Sequence, residues 1–386
     1  MKILCTYATR QIDSNLLMAG TVFGGLKKAG FSVDAVFCGP DNCYKIFCER
    51  YSKYFESIYY LSIHDEIQSK RFKKSHFLSL AWTFWIHFIK DFFVRPYSLK
   101  LIKKKFRNRK YNCILSFVPP VVSGRLGKDM TRILGIDTVL IQFWTDPLSL
   151  GACNDISKIP ARRILHKITE RSILSKADKN VFCFPLLCEM ESKLHPRYAS
   201  KMTWSDVSYV EHRLDEHKTK NKKVTIGLFG AYQSSVRNIY PFLECVKELT
   251  DYQFILRGDS DLEIDANDFS NLDVKRGRCP VDEVEVLEAN CDILVSLNAH
   301  SGFMPPGKTF YYASYKKPIV FISDGPYAQS ISEYMLELGR YEVCINQTES
   351  IMLALEKAVC SLESFELKIP KRMQPEEIAR KIITGA

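Results

Sequence analysis

At 386 residues the chain is too long for one ordinary core, and two domains are expected. A hydrophobic content of 46% with 25% charged residues excludes a disordered or fibrous chain. The net charge of +10 favours an anionic partner, whether nucleic acid, a membrane surface or a phosphorylated substrate.

The first 65 residues alternate strand and helix. Residues 2–8 read as a buried strand and not as a signal peptide. Together with an odd number of irregularly spaced cysteines, 13 in all, this predicts reduced thiols in a cytoplasmic protein. Residues 16–29 carry apolar side chains at helical spacing, and Gly30 caps them. Strands are expected at 31–37 and 58–63. Cys38, Cys43 and Cys48 recur every five residues. On a helix that step turns them apart by about 140°, so no metal site is expected from them.

Residues 70–110 hold 13 Lys/Arg against one acid, Asp91. The apolar run inside, 77–89, is shorter than the ~18–20 residues that a spanning helix needs. A helix with Trp82, Trp85, Phe88, Ile89 and Phe92 on one face is suited to lying in a membrane surface. An internal helix with a solvated basic end accounts for it equally well. No nucleic-acid motif accompanies the basic residues, so a nucleic-acid partner is not expected.

Strands follow at 112–117 and 138–143, separated by a helix at 122–134. Pro119 and Asp146 come just after those strands, where ligands of such sheets bind. Asp146 before Pro147 also suits a plain turn cap. A helix at 162–175 and a strand at 179–184 complete the first half. Residues 213–222 read as a charged linker between a domain of residues 1–212 and one of residues 223–372. The alternation then starts afresh: strands at 224–229, 252–256, 272–275 and 292–297, with helices at 239–249 and 282–289. Residues 373–386, with a helix at 375–383, come after the second sheet is complete and can cross back onto the first domain.

Gly302-Phe303-Met304-Pro305-Pro306-Gly307-Lys308-Thr309 is a full match to the phosphate loop G-x-x-x-x-G-K-[ST]. Such a loop aims consecutive backbone N–H groups at phosphate, and Pro305 and Pro306 have none. It also normally opens its domain, whereas here it arrives four strands in. Asp324, at the end of an apolar run, is its best support as a magnesium-site carboxylate.

The residues from Pro306 to Ile319 resemble another signature, P-[SN]-K-x-F-E-Y-x-x-x-x-K-P-I/V, of retaining family-four-like glycosyltransferases. Pro306, Lys308, Phe310, Tyr312, Lys317, Pro318 and Ile319 match it. The strand ending at Gly230, the Gly-x-x-Pro step at Gly277 and the Cys291-Asp292 strand start look like further elements of that donor domain. The resemblance is weaker in the first half, in the Pro119-Pro120 and Asp146-Pro147 regions. It implies a GT-B fold: two doubly wound, Rossmann-like α/β domains facing each other across a cleft. It implies transfer of a sugar, with retention, from a nucleotide-diphosphate sugar to a glycan or lipid-linked acceptor in surface polysaccharide synthesis. No metal or other cofactor is then required, and the enzyme would work in the cytoplasm or at the inner membrane face.

The resemblance further implies that Lys308 and Arg237 meet the diphosphate, with Asp146 as a third catalytic residue. Gly230, Gly258, Cys279, Gly307, Thr309, Tyr311 and Tyr312 would border the donor, and Thr9, Arg10 and Pro119 would lie on the acceptor side. Tyr311 stands where the family has the glutamate that holds the ribose hydroxyls, and a neutral phenol cannot clamp two hydroxyls. This keeps open a degenerate GT-B protein that binds a glycan or partner, and the same fold also admits a nucleotide-sugar epimerase. The D-x-D reading of Asp259-Ser260-Asp261 belongs to a different glycosyltransferase fold and is more simply a turn.

Overall fold

A computed structural model describes residues 1–9, 14–62, 97–135, 137–150, 160–211, 223–277 and 279–385. Arg10, the linker at 213–222 and the aromatic run at 77–89 lie outside the described residues. The chain divides into two units: Met1–Ser208 with Pro375–Ala386, and Tyr209–Gln374.

Unit 1 is built on seven parallel strands: β1 (Lys2–Ala8), β2 (Ser32–Gly39), β3 (Ser57–Ser62), β4 (Cys113–Val118), β5 (Val139–Trp144), β6 (Lys179–Phe182) and β7 (Met202–Trp204). Their order is β3-β2-β1-β4-β5-β6-β7, each neighbour pair parallel. Helices on both faces bury the central strands, and for that reason they read as continuous apolar runs without alternation. The helices are α1 (Ser14–Lys28), α2 (Asp41–Tyr51), α3 (Leu99–Phe106), α4 (Val121–Leu134), α5 (Pro160–Leu174) and α6 (Pro185–Leu194).

On one face Phe23 of α1 is the hub of an aromatic cluster. It meets Phe47, Tyr51, Phe55 and Phe117 edge-on, with ring centroids 5.0–5.9 Å apart. Each such pair contributes about 0.5–1.5 kcal/mol beyond its buried area. The chain's last helix, Pro375–Thr384, packs on α1 within this same unit. Gly25 makes the approach possible, since a Cβ there would stand 2.0 Å from the Pro375 carbonyl oxygen.

Unit 2 has six parallel strands: β8 (Thr225–Phe229), β9 (Gln253–Gly258), β10 (Leu272–Arg276), β11 (Ile293–Leu297), β12 (Ile319–Ser323) and β13 (Glu342–Ile345). Their order is β10-β9-β8-β11-β12-β13. The helices are α7 (Tyr240–Glu248), α8 (Val281–Asn290), α9 (Gly307–Tyr312), α10 (Ala328–Leu338) and α11 (Thr348–Cys360); the last helix of the chain is α12. Phe242, Phe254, Ile293, Val320 and Leu355 sit in one fully buried core. Strand β7, helix α6 and the stretch from α10 to α11 have no counterpart in the sequence reading.

Candidate functional site

In unit 2 the chain runs outward from β8 to β9 and β10, then returns to lay β11 on the other side of β8. The connections therefore diverge between β8 and β11. In open α/β sheets ligands bind at the carboxyl ends of the strands at such a point. Two loops leave it: one from Gly230 to the start of α7, the other from Asn298 to the start of α9.

The first loop is anchored by backbone packing. Gly230, at φ 128°, lies so close to the end of β9 that a Cβ on Gly258 would stand 1.8 Å from its carbonyl oxygen. Gly230 N donates to Arg257 O and Gly277 N to Gly258 O, each at 2.9 Å, which brings the ends of β8, β9 and β10 level. Cys279 follows, half-buried, before α8. Ser234 donates through its N–H (2.7 Å) and hydroxyl (2.6 Å) to Asp261, and these bonds hold the Asp261 carboxyl below its usual value. The aspartate of the D-x-D sequence thus ties two loops together. Arg237, half-buried, donates from Nε to Leu297 O (2.9 Å) and from Nη1 to Ala231 O (2.6 Å). Its guanidinium spans from the first loop to the end of β11.

Asn298 opens the second loop. It is 0% exposed, and neither atom of its amide has a hydrogen-bond partner among the described residues. A buried, uncommitted amide is rare and costs about 1–3 kcal/mol. The sequence reading passed over it; its one signal was a polar residue directly after a buried strand. Asp324, after β12, accepts from Gly325 N (2.8 Å) and Asn346 Nδ2 (2.9 Å), so its carboxylate is committed to the fold.

Helix α9 begins at Gly307, and Pro306 precedes it at φ −58°, ψ 141°. Lys308 lies in its first turn. The Lys308 side chain is 31% exposed and its ammonium meets Glu288 Oε1 of α8 at 2.6 Å, while the Glu288 side chain is 1% exposed. Tyr312 donates to the same oxygen at 3.2 Å. The ammonium also lies over the Phe229 and Tyr312 rings, 5.6 Å from each centroid. Burial pushes the Glu288 carboxyl up, and Lys308 and Tyr312 pull it back. Lys308 is therefore a held cation on a partly exposed side chain.

Tyr311 donates to Glu285 Oε1 at 3.3 Å. Burial, then Glu288 and Glu285, push its phenol up, so it stays neutral. Thr309 is buried: its hydroxyl pairs with Ser296 at 2.6 Å and its N–H donates to Pro306 O at 2.9 Å. Tyr312 is also fully buried. Lys317, the second lysine of the signature, is 3% exposed and donates to Glu288 O, Ala289 O and Cys291 O at 3.0, 2.7 and 2.6 Å. It closes the carboxyl end of α8.

In unit 1 the corresponding divergence lies between β1 and β4. Thr9 and Pro119 are the residues that follow these strands. Thr9 is buried and donates its N–H to Cys38 O at 2.9 Å; Pro119 is half-buried. Asp146 is exposed, just beyond β5.

No protein-family model and no curated protein matches the chain. Solved structures match it over nearly its whole length. The catalytic domain of starch synthase IV from Arabidopsis thaliana, bound to ADP and acarbose, aligns with a TM-score of 0.57 at 10% identity, covering 98% of this chain and 94% of that one. The Anabaena protein HepE, in complex with UDP and glucose, gives 0.53 at 11% identity, covering 100% and 96%. A UDP-N-acetylglucosamine 2-epimerase gives 0.52 at 10%, covering 99% and 94%. At these identities the likeness establishes the fold alone: two parallel-sheet α/β domains, as in the GT-B glycosyltransferases.

Proposed function

We propose that the protein is a glycosyltransferase that moves a sugar from a nucleotide-diphosphate donor to a glycan or lipid-linked glycan. The observation that carries this reading is Lys308, an ammonium fixed by a buried carboxylate in the first turn of a helix, on a partly exposed side chain. Two structures of the same fold hold ADP and UDP, the leaving group of such a donor.

As the glycosidic bond breaks, negative charge builds on the diphosphate. Lys308 and Arg237 would stabilise it from fixed positions, without the reorganisation that water would need. Those cations serve where other folds use a metal, so added Mg²⁺ or Mn²⁺ should leave turnover unchanged. Glu285 accepts from Tyr311. It would supply the carboxylate for the ribose hydroxyls that the signature position itself lacks. The Asn298 amide would turn its free donor and acceptor toward the sugar or phosphate. On unit 1, Thr9, Arg10 and Pro119 would contact the acceptor, with Asp146 as the third catalytic residue.

A panel of nucleotide sugars, with products read by mass spectrometry with and without glycan acceptors, tests this reading. Acceptor-dependent release of a nucleoside diphosphate from at least one donor is expected, and no turnover of any would overturn it. The epimerase of the same fold motivates one rival, conversion of the donor sugar with no acceptor and no diphosphate release.

A further inference from the structure

Beside the loop after β5, unit 1 holds three ionisable side chains in one buried place. Glu170 comes from α5, Glu191 from the last turn of α6, and His195 from the residue that caps α6. Glu191 and His195 are four residues apart, and the His195 N–H still bonds the Glu191 carbonyl at 2.8 Å, so both side chains leave the helix on one side. All three side chains are at most 1% exposed. One ligand atom from each lies within 4.8 Å of the others. His195 Nε2 is 3.0 Å from Glu170 Oε2 and 3.8 Å from Glu191 Oε2.

The two carboxylates are not equivalent. Glu170 accepts from Leu148 N at 2.8 Å and from the Ser149 hydroxyl, and its Oε2 faces the imidazole Nε2. Glu191 has no hydrogen-bond partner at either oxygen among the described residues, although it is 0% exposed. A buried carboxylate with no donor costs several kcal/mol. Here it is aimed at a second carboxylate and a ring nitrogen, which together make an O,O,N donor set. A neutral imidazole and two carboxylates carry a charge that one divalent cation cancels.

The separations suit such an ion. With ligand bonds of about 2.0–2.2 Å, gaps of 3.0 and 3.8 Å subtend roughly 90° and 130° at the metal, either side of the tetrahedral value. A fourth oxygen would have to come from a water or from the Ser149 hydroxyl, which bonds Glu170. An imidazole with two carboxylates favours Zn²⁺ over Mg²⁺ or Ca²⁺, and full burial matches a structural site, not a catalytic one.

We propose that Glu170, Glu191 and His195 bind a structural Zn²⁺ ion that ties α5 and α6 to the loop after β5. Through Glu170 the ion fixes Leu148 and Ser149, and with them the loop that carries Asp146.

The test uses the full chain. Protein purified without chelator is analysed for metal by mass spectrometry, then stripped and titrated with Zn²⁺, Co²⁺ and Mg²⁺. The expected results are about one equivalent of Zn²⁺, a rise in melting temperature with Zn²⁺ but not Mg²⁺, and visible absorption typical of four-coordinate Co²⁺. Glu191→Gln should abolish the Co²⁺ absorption and the melting shift while keeping the wild-type circular dichroism. Wild-type protein with no retained Zn²⁺, no Co²⁺ absorption and no shift would overturn the proposal, as would an unchanged Co²⁺ spectrum in Glu191→Gln. Should that variant fail to fold, the wild-type stoichiometry and Co²⁺ spectrum decide alone.

Discussion

Lys308 and Lys317 belong to one signature, and burial separates what they do. Lys317 is enclosed and spends its three donors on carbonyl oxygens at the end of α8. Lys308 stays partly exposed and pairs with Glu288. Removing Lys308 alone strands a buried carboxylate, so Lys308→Met should cost about 2–4 kcal/mol of stability. The double variant Lys308→Met with Glu288→Gln leaves no unpaired charge and should recover most of that in denaturant unfolding; additive losses would contradict the coupling. Asn298 behaves in the opposite way. Its amide makes no internal bond to lose among the described residues, so Asn298→Ala should change stability by less than about 1 kcal/mol. Calorimetry should nevertheless show donor binding weakened roughly tenfold. The lysines were legible as a pattern. Asn298, Glu170, Glu191 and His195 were not, because no spacing rule marks a buried polar atom whose partners are missing or lie 25 residues away, as between Glu170 and His195.

At the scale of elements, the strands that the sequence showed clearly are the central ones, buried on both faces. Thr225–Phe229 and Ile293–Leu297 are buried at every position. The strands it missed are at sheet edges and short: Met202–Trp204 has no fully buried residue, and Glu342–Ile345 has one, Cys344. Helix α10 is a different kind of miss. Ile331, Tyr334, Met335 and Leu338 are its buried residues, an i, i+3, i+4, i+7 pattern that was there to be read. The phosphate-loop pattern fails at this scale too, since its helix has only six residues and its Thr309 is spent on Ser296. The glycines of the strand ends matter more than those of that pattern. Gly258→Ala would drive a methyl group into the Gly230 backbone, and should cost more than about 2 kcal/mol and disturb the loop carrying Arg237. A melting temperature within a degree or two of wild type would contradict that packing.

For the whole molecule, both α/β repeats were legible from the alternation of apolar runs and glycine caps. Among the described residues no helix is long and apolar enough to cross a membrane. A surface association would rest on the basic, aromatic stretch at 70–110. Vesicles rich in anionic lipid should float with the wild-type protein and much less with Trp82→Ser and Trp85→Ser together; equal flotation would remove that stretch from the account. The GT-B fold is shared by transferases and an epimerase, so fold alone does not choose an activity. The choice rests on the proposed diphosphate site in unit 2, and titrating the protein with UDP and ADP by calorimetry tests it most directly. Saturable binding of at least one, weakened roughly 10- to 100-fold in the folded Lys308→Met, Glu288→Gln double variant, is the predicted result. No binding of either nucleotide, or equal binding by the double variant, would contradict it.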